Sequence, residues 1–331
     1  MRIGIVGATG AVGKEILKIL DNRKFPISEL KLFASKKSLG KRITFKKNRY
    51  KLNLISKKNL GNLDIVFFAA GSKLSKIYAP ICEKLGSYVI DNSSAFRLNK
   101  DIPLIVPEIN SDAIKKTKRK IIANPNCTTI ISLMGIKPID NSNKIVRVVA
   151  TSFQSVSGAG NSGIDELIHN TRFYKNEEKI RKNVFDKNIT FNVIPKIGNF
   201  LDNGFTEEEM KLHNESRKIL DNKDISFSAT TVRVPVMRSH SISLNIEFKK
   251  SFNINKIKNE IKKFPGIDIS DNIKKNQYPT PLDSTNKDNC IIGRIRKDFT
   301  KKNAISAWIV GDQIRKGAAL NAVQIAELLV M

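Results

Sequence analysis

The sequence predicts an α/β protein: a parallel, doubly wound sheet in its first part, then an α+β part built on a mixed sheet. Two observations carry this. Up to about residue 126, short apolar runs bounded by glycine alternate with stretches of helical spacing, as βαβ units require. Beyond residue 127 the apolar runs lengthen and partly alternate, the pattern of strands with one covered face.

Taken in order, residues 2–7 (RIGIVG) are a short apolar run closed by glycine, as a buried parallel strand should be. Residues 11–20 place Val12, Ile16, Leu17, Ile19 and Leu20 at helical spacing. Further strands are expected at 30–35, 63–70, 87–91, 104–106 and 120–124, with a helix over 73–85. In the second part, 144–156, 225–236 and 241–250 read as strands, and 163–173, 206–220 and 253–263 as helices. The last stretch, 315–330, carries Ala318, Val323, Ile325, Ala326, Leu328 and Leu329 at helical spacing, and is expected to return to the first domain. The domains are thus 1–126, completed by 315–331, and 127–314.

The first strand runs into GATGAVG, with Gly7, Gly10 and Gly13 before a helix. The spacing is G-x-x-G-x-x-G, but glycines there allow a tight turn and close approach of a pyrophosphate to a helix N-terminus. That context makes the first domain Rossmann-type and dinucleotide-binding, with Thr9, Ala11 and Val12 completing the loop. An NAD enzyme usually carries Asp or Glu after the second strand, for the ribose diol. This chain has Ser35, Lys36, Lys37 and Ser38 and no acid, which favours the 2′-phosphate of NADP. The lysines are also compatible with the general lysine excess.

Cys127, in NPNCTTI, stands at the entrance of an apolar run rather than inside it. The first turn of a helix favours negative charge, and there a thiol becomes a thiolate. Such a thiolate can attack an aldehyde, and a nicotinamide can take hydride from the adduct. A small core residue is the other reading of Cys127 alone. Of the three histidines, His240 precedes an alternating strand and is the candidate base, whereas His169 and His213 lie in charged helical stretches and read as solvated. A second loop of small residues, with Ser157, Gly158, Ala159 and Gly160, follows a strand and can present backbone N–H groups to a ligand. Arg97 follows the strand at 87–91, where α/β folds bind ligands, though alone it reads more readily as a surface arginine.

Composition narrows the class. No apolar run approaches the 18 or so residues of a membrane span, and the first residues read as a strand rather than a signal peptide. Three scattered cysteines, Cys82, Cys127 and Cys290, suggest a reducing, cytoplasmic setting without structural disulfides, and no C-x-x-C pattern suggests zinc. Cys82 and Cys290 read as buried or idle thiols. Net charge is +27, from 58 Lys and Arg against 31 Asp and Glu. Lysine, asparagine and isoleucine abound in every kind of segment and no nucleic-acid motif appears, so the charge reads as compositional and nucleic acid is not expected as a partner.

Together these segments resemble the aspartate-β-semialdehyde dehydrogenase family over nearly the whole chain. The resemblance lies in GATGAVG (7–13), DNSSAFR (91–97), NPNCTT (124–129), FQSVSGAG (153–160), FTEEEMK (205–211), VRVPVMRSHS (232–241) and RKGAALNAVQIAELL (315–329), in that order. It implies reversible, NADP-dependent reductive dephosphorylation of L-aspartyl-4-phosphate to L-aspartate 4-semialdehyde, on the way to lysine (through diaminopimelate), threonine and methionine. It implies Cys127 as nucleophile, His240 as general acid/base and Gln154 as an orienting group. It further implies Arg233 on the substrate α-carboxylate, Glu208 on its α-amino group, and Arg97, Asn126 and Lys211 on phosphate. Gln313 falls where an Asn or Gln near the nicotinamide is expected. The second domain would then carry catalysis and dimerisation in a homodimer or homotetramer. Which of Glu207, Glu208 and Glu209 meets the amine is open, spacing to Lys211 favouring Glu208. Two other readings stand beside this one: a related acyl-phosphate reductase such as N-acetyl-glutamyl-phosphate reductase, and a basic nucleic-acid-binding protein on the same fold.

Overall fold

The computed structural model describes residues 1–330; Met331, the last residue of the expected 315–331 return, lies outside them. The chain forms two compact units, one of Met1–Asn126 with the segment from Ala318 onward, the other of Cys127–Gly317.

The first unit contains β1 (Arg2–Val6), α1 (Ala11–Asn22), β2 (Glu29–Phe33), β3 (Arg42–Phe45), β4 (Asn48–Asn53), β5 (Ile65–Phe68), α2 (Ser72–Lys84), β6 (Tyr88–Asp91), α3 (Pro107–Asn110) and β7 (Ile121–Ala123). Its strands run in the order β3-β4-β2-β1-β5-β6-β7, all parallel except the β3–β4 hairpin. β1 has β2 on one side and β5 on the other, so the strand order reverses at its carboxyl end, where Gly7 begins the glycine loop. Strands enclosed on both faces need continuous apolar runs, and β5 (IVFF) is wholly buried. α1 turns Ile16, Leu17, Ile19 and Leu20 inward and leaves Lys14 and Lys18 exposed.

The second unit contains α4 (Cys127–Ser142), β8 (Ile145–Gln154), α5 (Asn161–Arg172), α6 (Glu207–Ile219), β9 (Ser226–Arg233), β10 (His240–Phe248), α7 (Ile254–Lys263), β11 (Ile267–Ile269), α8 (Pro281–Ser284), β12 (Cys290–Lys297) and β13 (Ala304–Gly311). The sheet order is β11-β12-β13-β10-β8-β9, with β8–β9 and β11–β12 parallel and the other pairs antiparallel. α4 packs on β8, β10, β12 and β13 and also meets α6 and α7. A helix surrounded in this way is apolar all round, and Ile130, Ile131, Leu133, Met134, Ile136 and Ile139 are fully buried. Val149, Thr151, Phe153, Ser243 and Trp308 are only half-buried, with the Phe153 and Trp308 rings 5.5 Å apart.

The chain ends in a widened, π-type turn at Arg315–Ala319 and then α9 (Leu320–Leu328). α9 returns to the first unit. Leu320, Val323, Ile325 and Ala326 join the core that holds Ile3, Ile5, Ile16 and Leu20. Buried Asn321 donates to Ile105 O at 2.9 Å and Asn124 Oδ1 at 2.7 Å, and Arg23 grips the Glu327 carboxylate at 2.6 and 2.8 Å.

Several expectations needed revision. The strand at 104–106 shrinks to a single bridge, Leu104 with Ala123: it meets β7 through Ile105 N to Ala123 O and Ala123 N to Pro103 O, while side chains of Asn110 and Asn321 take the Leu104 and Ile105 oxygens and Asn110 accepts from Val106 N. β3 and β4 escaped notice because their polar alternation, with Arg42, Arg49 and Lys51 exposed, marks an exposed edge rather than a core strand. β11, β12 and β13 fill a region that carried no expectation. The 315–330 helix is interrupted by the π-type turn.

Replacing Asn321 by Ala should leave the Ile105 and Asn124 oxygens short of a buried donor. A loss of about 2 kcal/mol is expected, read as a lower urea midpoint; an unchanged midpoint would show that these bonds contribute nothing.

Candidate active site

The register of the second sheet gathers polar residues at one end. Gln154 ends β8 and lies opposite Arg233, which ends the parallel β9. β10 runs antiparallel to β8, so its first residue, His240, comes to the same end; β13 runs antiparallel to β10 and finishes opposite His240 at Gly311, just before Asp312 and Gln313. Cys127 is the first residue of α4, and its Sγ lies 3.5 Å from His240 Nε2. Gly317, in the π-type turn, packs so closely that a Cβ there would stand 2.9 Å from Cys127 Cβ. Such turns concentrate at functional sites.

His240 is fully buried, and its imidazole titrates well below the usual histidine range. Burial is the largest cause and the Arg233 charge the next, against a smaller opposing contribution from the Ser239 backbone. Burial also pulls Arg233 down, while Glu208 and Cys127 as negative neighbours hold it up. A guanidinium stays charged through such a shift. Arg233 donates to Ser155 O at 2.6 Å, and Phe185 packs 5.8 Å beneath its guanidinium. A cavity of about 300 Å³ beside Arg233 is also lined by Phe185, Lys196 and Asn199. A larger one, about 490 Å³, opens at Trp308 and shares no residue with this cluster.

The three glutamates at the start of α6 divide their work. Glu209 closes a capping box with Thr206 and accepts from Thr231 N at 2.9 Å. Glu207 faces Asn199 N at 3.3 Å. Glu208 reaches the cluster: Lys211 Nζ lies 3.0 Å from its Oε2 and Gln154 Nε2 3.4 Å from its Oε1. Gln154 Nε2 also donates to Ser152 Oγ at 3.2 Å. The loop with Ser157, Gly158, Ala159 and Gly160 covers His240, and a Cβ at Gly158 would meet Arg233 Nη1 at 2.7 Å and His240 Cε1 at 3.3 Å. Gln313 binds Ser239 N through Oε1 at 2.8 Å and Ser157 Oγ through Nε2. Cys127, Gln154, Ser157, Gly158, Glu208, Lys211, Arg233, His240 and Gln313 therefore belong to one unit.

Arg97 and Asn126 belong to the first unit. Arg97 does not lie on the surface: it is buried, with Nε on Asn124 O and Nη2 on Asn92 O, both at 2.9 Å. Asn126 is likewise buried. In the glycine loop, Gly7 has φ +90°, and a Cβ at Gly13 would stand 2.2 Å from Gly7 O, so packing within the protein requires both glycines. Gly10 differs: a Cβ there would have only Gly7 O near it, at 3.4 Å. Thr9, Gly10, Ala11 and Val12 thus lead into a helix N-terminus with no side-chain cap and no acidic residue in its first turn. Space at Gly10 and unopposed N–H groups fit a diphosphate. After β2, Ser35, Lys36 and Lys37 are exposed and Ser38 is half-buried, with no carboxylate in residues 34–41.

The other histidines are more engaged than expected: His169 Nε2 pairs with Lys179 O at 3.0 Å and His213 Nδ1 with Phe227 O at 2.8 Å. Cys82 and Cys290 are in no disulfide and fully buried, and burial pushes the Cys82 thiol up to about 12. The sequence reading missed Ser155, Ser239 and Gly317. Ser155 N and Oγ both lie 3.2 Å from His240 Nδ1, and Ser239 holds φ +74° beside it. The run of serines around FQSVSGAG and RSHS was the available signal. Among the described residues no group of His, Cys, Asp and Glu could hold a metal ion.

Residues 2–117 match the family described as Semialdehyde dehydrogenase, NAD binding domain, and residues 136–316 match Semialdehyde dehydrogenase, dimerisation domain. The chain is 45% identical to aspartate-semialdehyde dehydrogenase of Aquifex aeolicus, covering 99% of this chain and 98% of the relative. It is 43% identical to that of Synechocystis, covering 100% and 97%. Among solved structures it resembles aspartate semialdehyde dehydrogenase II from Vibrio cholerae complexed with ASA, with a TM-score of 0.96, 42% identity, and 99% and 98% of the two chains covered.

Iodoacetamide at neutral pH should label Cys127 alone in the native protein and all three cysteines after denaturation; mass mapping that finds Cys82 or Cys290 labelled first would contradict the burial. Because His240 is held neutral when folded but titrates near 6.5 when unfolded, the unfolded chain binds the extra proton below that pH. This contribution is complete above about pH 6.5 and is lost on acidification by up to roughly 1.4 kcal/mol per pH unit. A His240→Asn variant should lose that part of the acid slope in denaturant titrations.

Proposed function

The chain belongs to the aspartate-semialdehyde dehydrogenase family and is an oxidoreductase, and from that premise we propose that it interconverts L-aspartyl-4-phosphate with L-aspartate 4-semialdehyde and phosphate, using NADP and a Cys127 thioester. The observation that carries this reading is the 3.5 Å approach of Cys127 Sγ to His240 Nε2 at the first turn of α4. In the reductive direction the Cys127 thiolate forms a bond to the acyl carbon, the bond from that carbon to the phosphate oxygen breaks, and phosphate leaves. Gln154 orients the reacting group, and His240 serves the oxygen or sulfur as acid/base. Arg233 holds the α-carboxylate with a planar fork, Glu208 holds the α-ammonium, and Arg97, Asn126 and Lys211 bind phosphate. Lys211 already pairs with Glu208 at 3.0 Å, so substrate would divide that pair, its ammonium taking the glutamate and its phosphate the lysine.

The glycine loop, with Gly7, Thr9, Gly10, Ala11, Val12 and Gly13, would cradle the cofactor's pyrophosphate. Ser35 and Ser38, with their lysines, would take a 2′-phosphate. Ser157, Gly158, Ala159, Gly160 and Gln313 would border the nicotinamide, which supplies hydride when bound. The first unit is thereby the NADP-binding domain and the second the catalytic and dimerisation domain.

The carboxylate of Glu208 separates this substrate from an N-acylated one, which has no ammonium to meet it. The half-buried face with Phe153 and Trp308 suits pairing with a second copy in a dimer or tetramer. Three cysteines outside any disulfide fit a cytoplasmic site, and the step would serve lysine, threonine and methionine synthesis. Nucleic acid has no part in this reading.

The test is the absorbance of reduced nicotinamide. Aspartate semialdehyde with phosphate and NADP should produce it, with N-acetyl-glutamate semialdehyde and NAD far slower; the reverse preference would sink the assignment. Cys127→Ala should abolish turnover while NADPH still binds, and Arg233→Leu should weaken semialdehyde use more than cofactor binding.

A further inference from the structure

Two backbone N–H groups, which can only donate, bracket a chain of buried side chains in the second unit. At one end Ser239 N donates to Gln313 Oε1 at 2.8 Å. That contact fixes which way the amide faces, so Gln313 Nε2 must be the donor in its bond to Ser157 Oγ. Ser157 Oγ then has its own proton free for Ser155 Oγ, 3.2 Å away. Ser155 Oγ lies 3.2 Å from His240 Nδ1 and can donate in turn. At the other end Ser155 N donates to the same Nδ1, also at 3.2 Å. All these groups are at least nine-tenths buried: Ser155 and Ser239 are 0% exposed, Gln313 3%, Ser157 4% and His240 0%.

Every donor in the series points toward Nδ1, which must therefore carry a lone pair. We propose that Gln313, acting through Ser157 and Ser155, is a positioning residue that fixes His240 in the tautomer protonated on Nε2, so that the ring meets Cys127 as a neutral hydrogen-bond donor. The role for catalysis rests on the reading that Cys127 and His240 are the reacting pair. The titratable groups against the ring are Cys127 from α4 and Arg233 from β9; the 155–158 segment and Gln313 bring only neutral groups. An imidazolium would set an Nδ1–H against the Ser155 N–H and a second positive charge beside Arg233. The sulfur is then held by a hydrogen bond from Nε2–H and by the α4 N-terminus rather than by an imidazolium partner. Gln313 also restrains Ser239, whose φ of +74° a serine rarely adopts and which fixes the entry of the chain into His240.

The full-length protein labelled with ¹⁵N-histidine gives a direct readout from ring nitrogen resonances, with the His240 pair identified by its absence from His240→Asn. Between about pH 6 and 8 the wild type should show a protonated Nε2 and a bare Nδ1 throughout. Ser155→Ala, which keeps the backbone N–H, should keep the proton on Nε2 but shift the Nδ1 resonance as one donor is lost. Gln313→Glu cannot donate to Ser157; it reverses the series and adds an anion, and should raise the pH at which His240 charges by about one unit. A wild-type ring protonated on Nδ1, or charged at neutral pH, overturns the proposal, as does a Gln313→Glu protein whose His240 resonances and titration match the wild type. No substrate or cofactor enters this measurement. Failure with aspartate semialdehyde would leave the tautomer result standing, and a wrong tautomer would leave the semialdehyde assay standing.

Discussion

The antiparallel pairing of β10 with both β8 and β13 sets the geometry of the second unit. Strand direction decides which ends meet. Because β8 and β9 run one way and β10 the other, two strand ends and one strand start coincide, and Gln154, Arg233 and His240 become neighbours though up to 86 residues apart in sequence. Shifting β10 by one residue would turn His240 to the opposite face of the sheet. The apolar α4 lies against the same sheet and carries Cys127 at its first turn.

Electrostatics follow from that placement. A guanidinium, an imidazole and a sulfur within one buried cluster cannot all choose their charge freely. Burial lowers Arg233 more than Glu208 and Cys127 raise it, yet a guanidinium stays cationic through such a shift; burial first, and the Arg233 charge second, then hold His240 neutral. The division among Glu207, Glu208 and Glu209 has the same character. Glu209 caps α6, Glu207 faces the chain near Asn199, and Glu208 alone turns toward Gln154.

In the first unit the constraint is steric. Gly7 and Gly13 satisfy the turn itself, whereas Gly10 leaves room bounded only by Gly7 O. α9 closes the same core through Asn321 and the Arg23–Glu327 pair, so a segment more than 300 residues from β1 completes the domain that β1 begins.

Local pattern determined a good deal. Apolar period and glycine punctuation marked β1, α1, β2, β5, α2, β8, β9 and β10, because each is long or buried enough to imprint its own period. Motif order gave the family and pointed to Cys127, His240 and Arg233. Tertiary structure alone decided the rest. The β3–β4 edge hides behind polar and basic residues, Arg97 turned inward, and the strand expected at 104–106 found only one bridge. Above all, the proposed placement of the His240 proton on the nitrogen that faces sulfur rests on hydrogen bonds from Ser155 and, through Ser157, from Gln313, far along the chain. A sequence carries the identity of those residues but not the directions in which their donors point, since those arise only when strand ends are brought together.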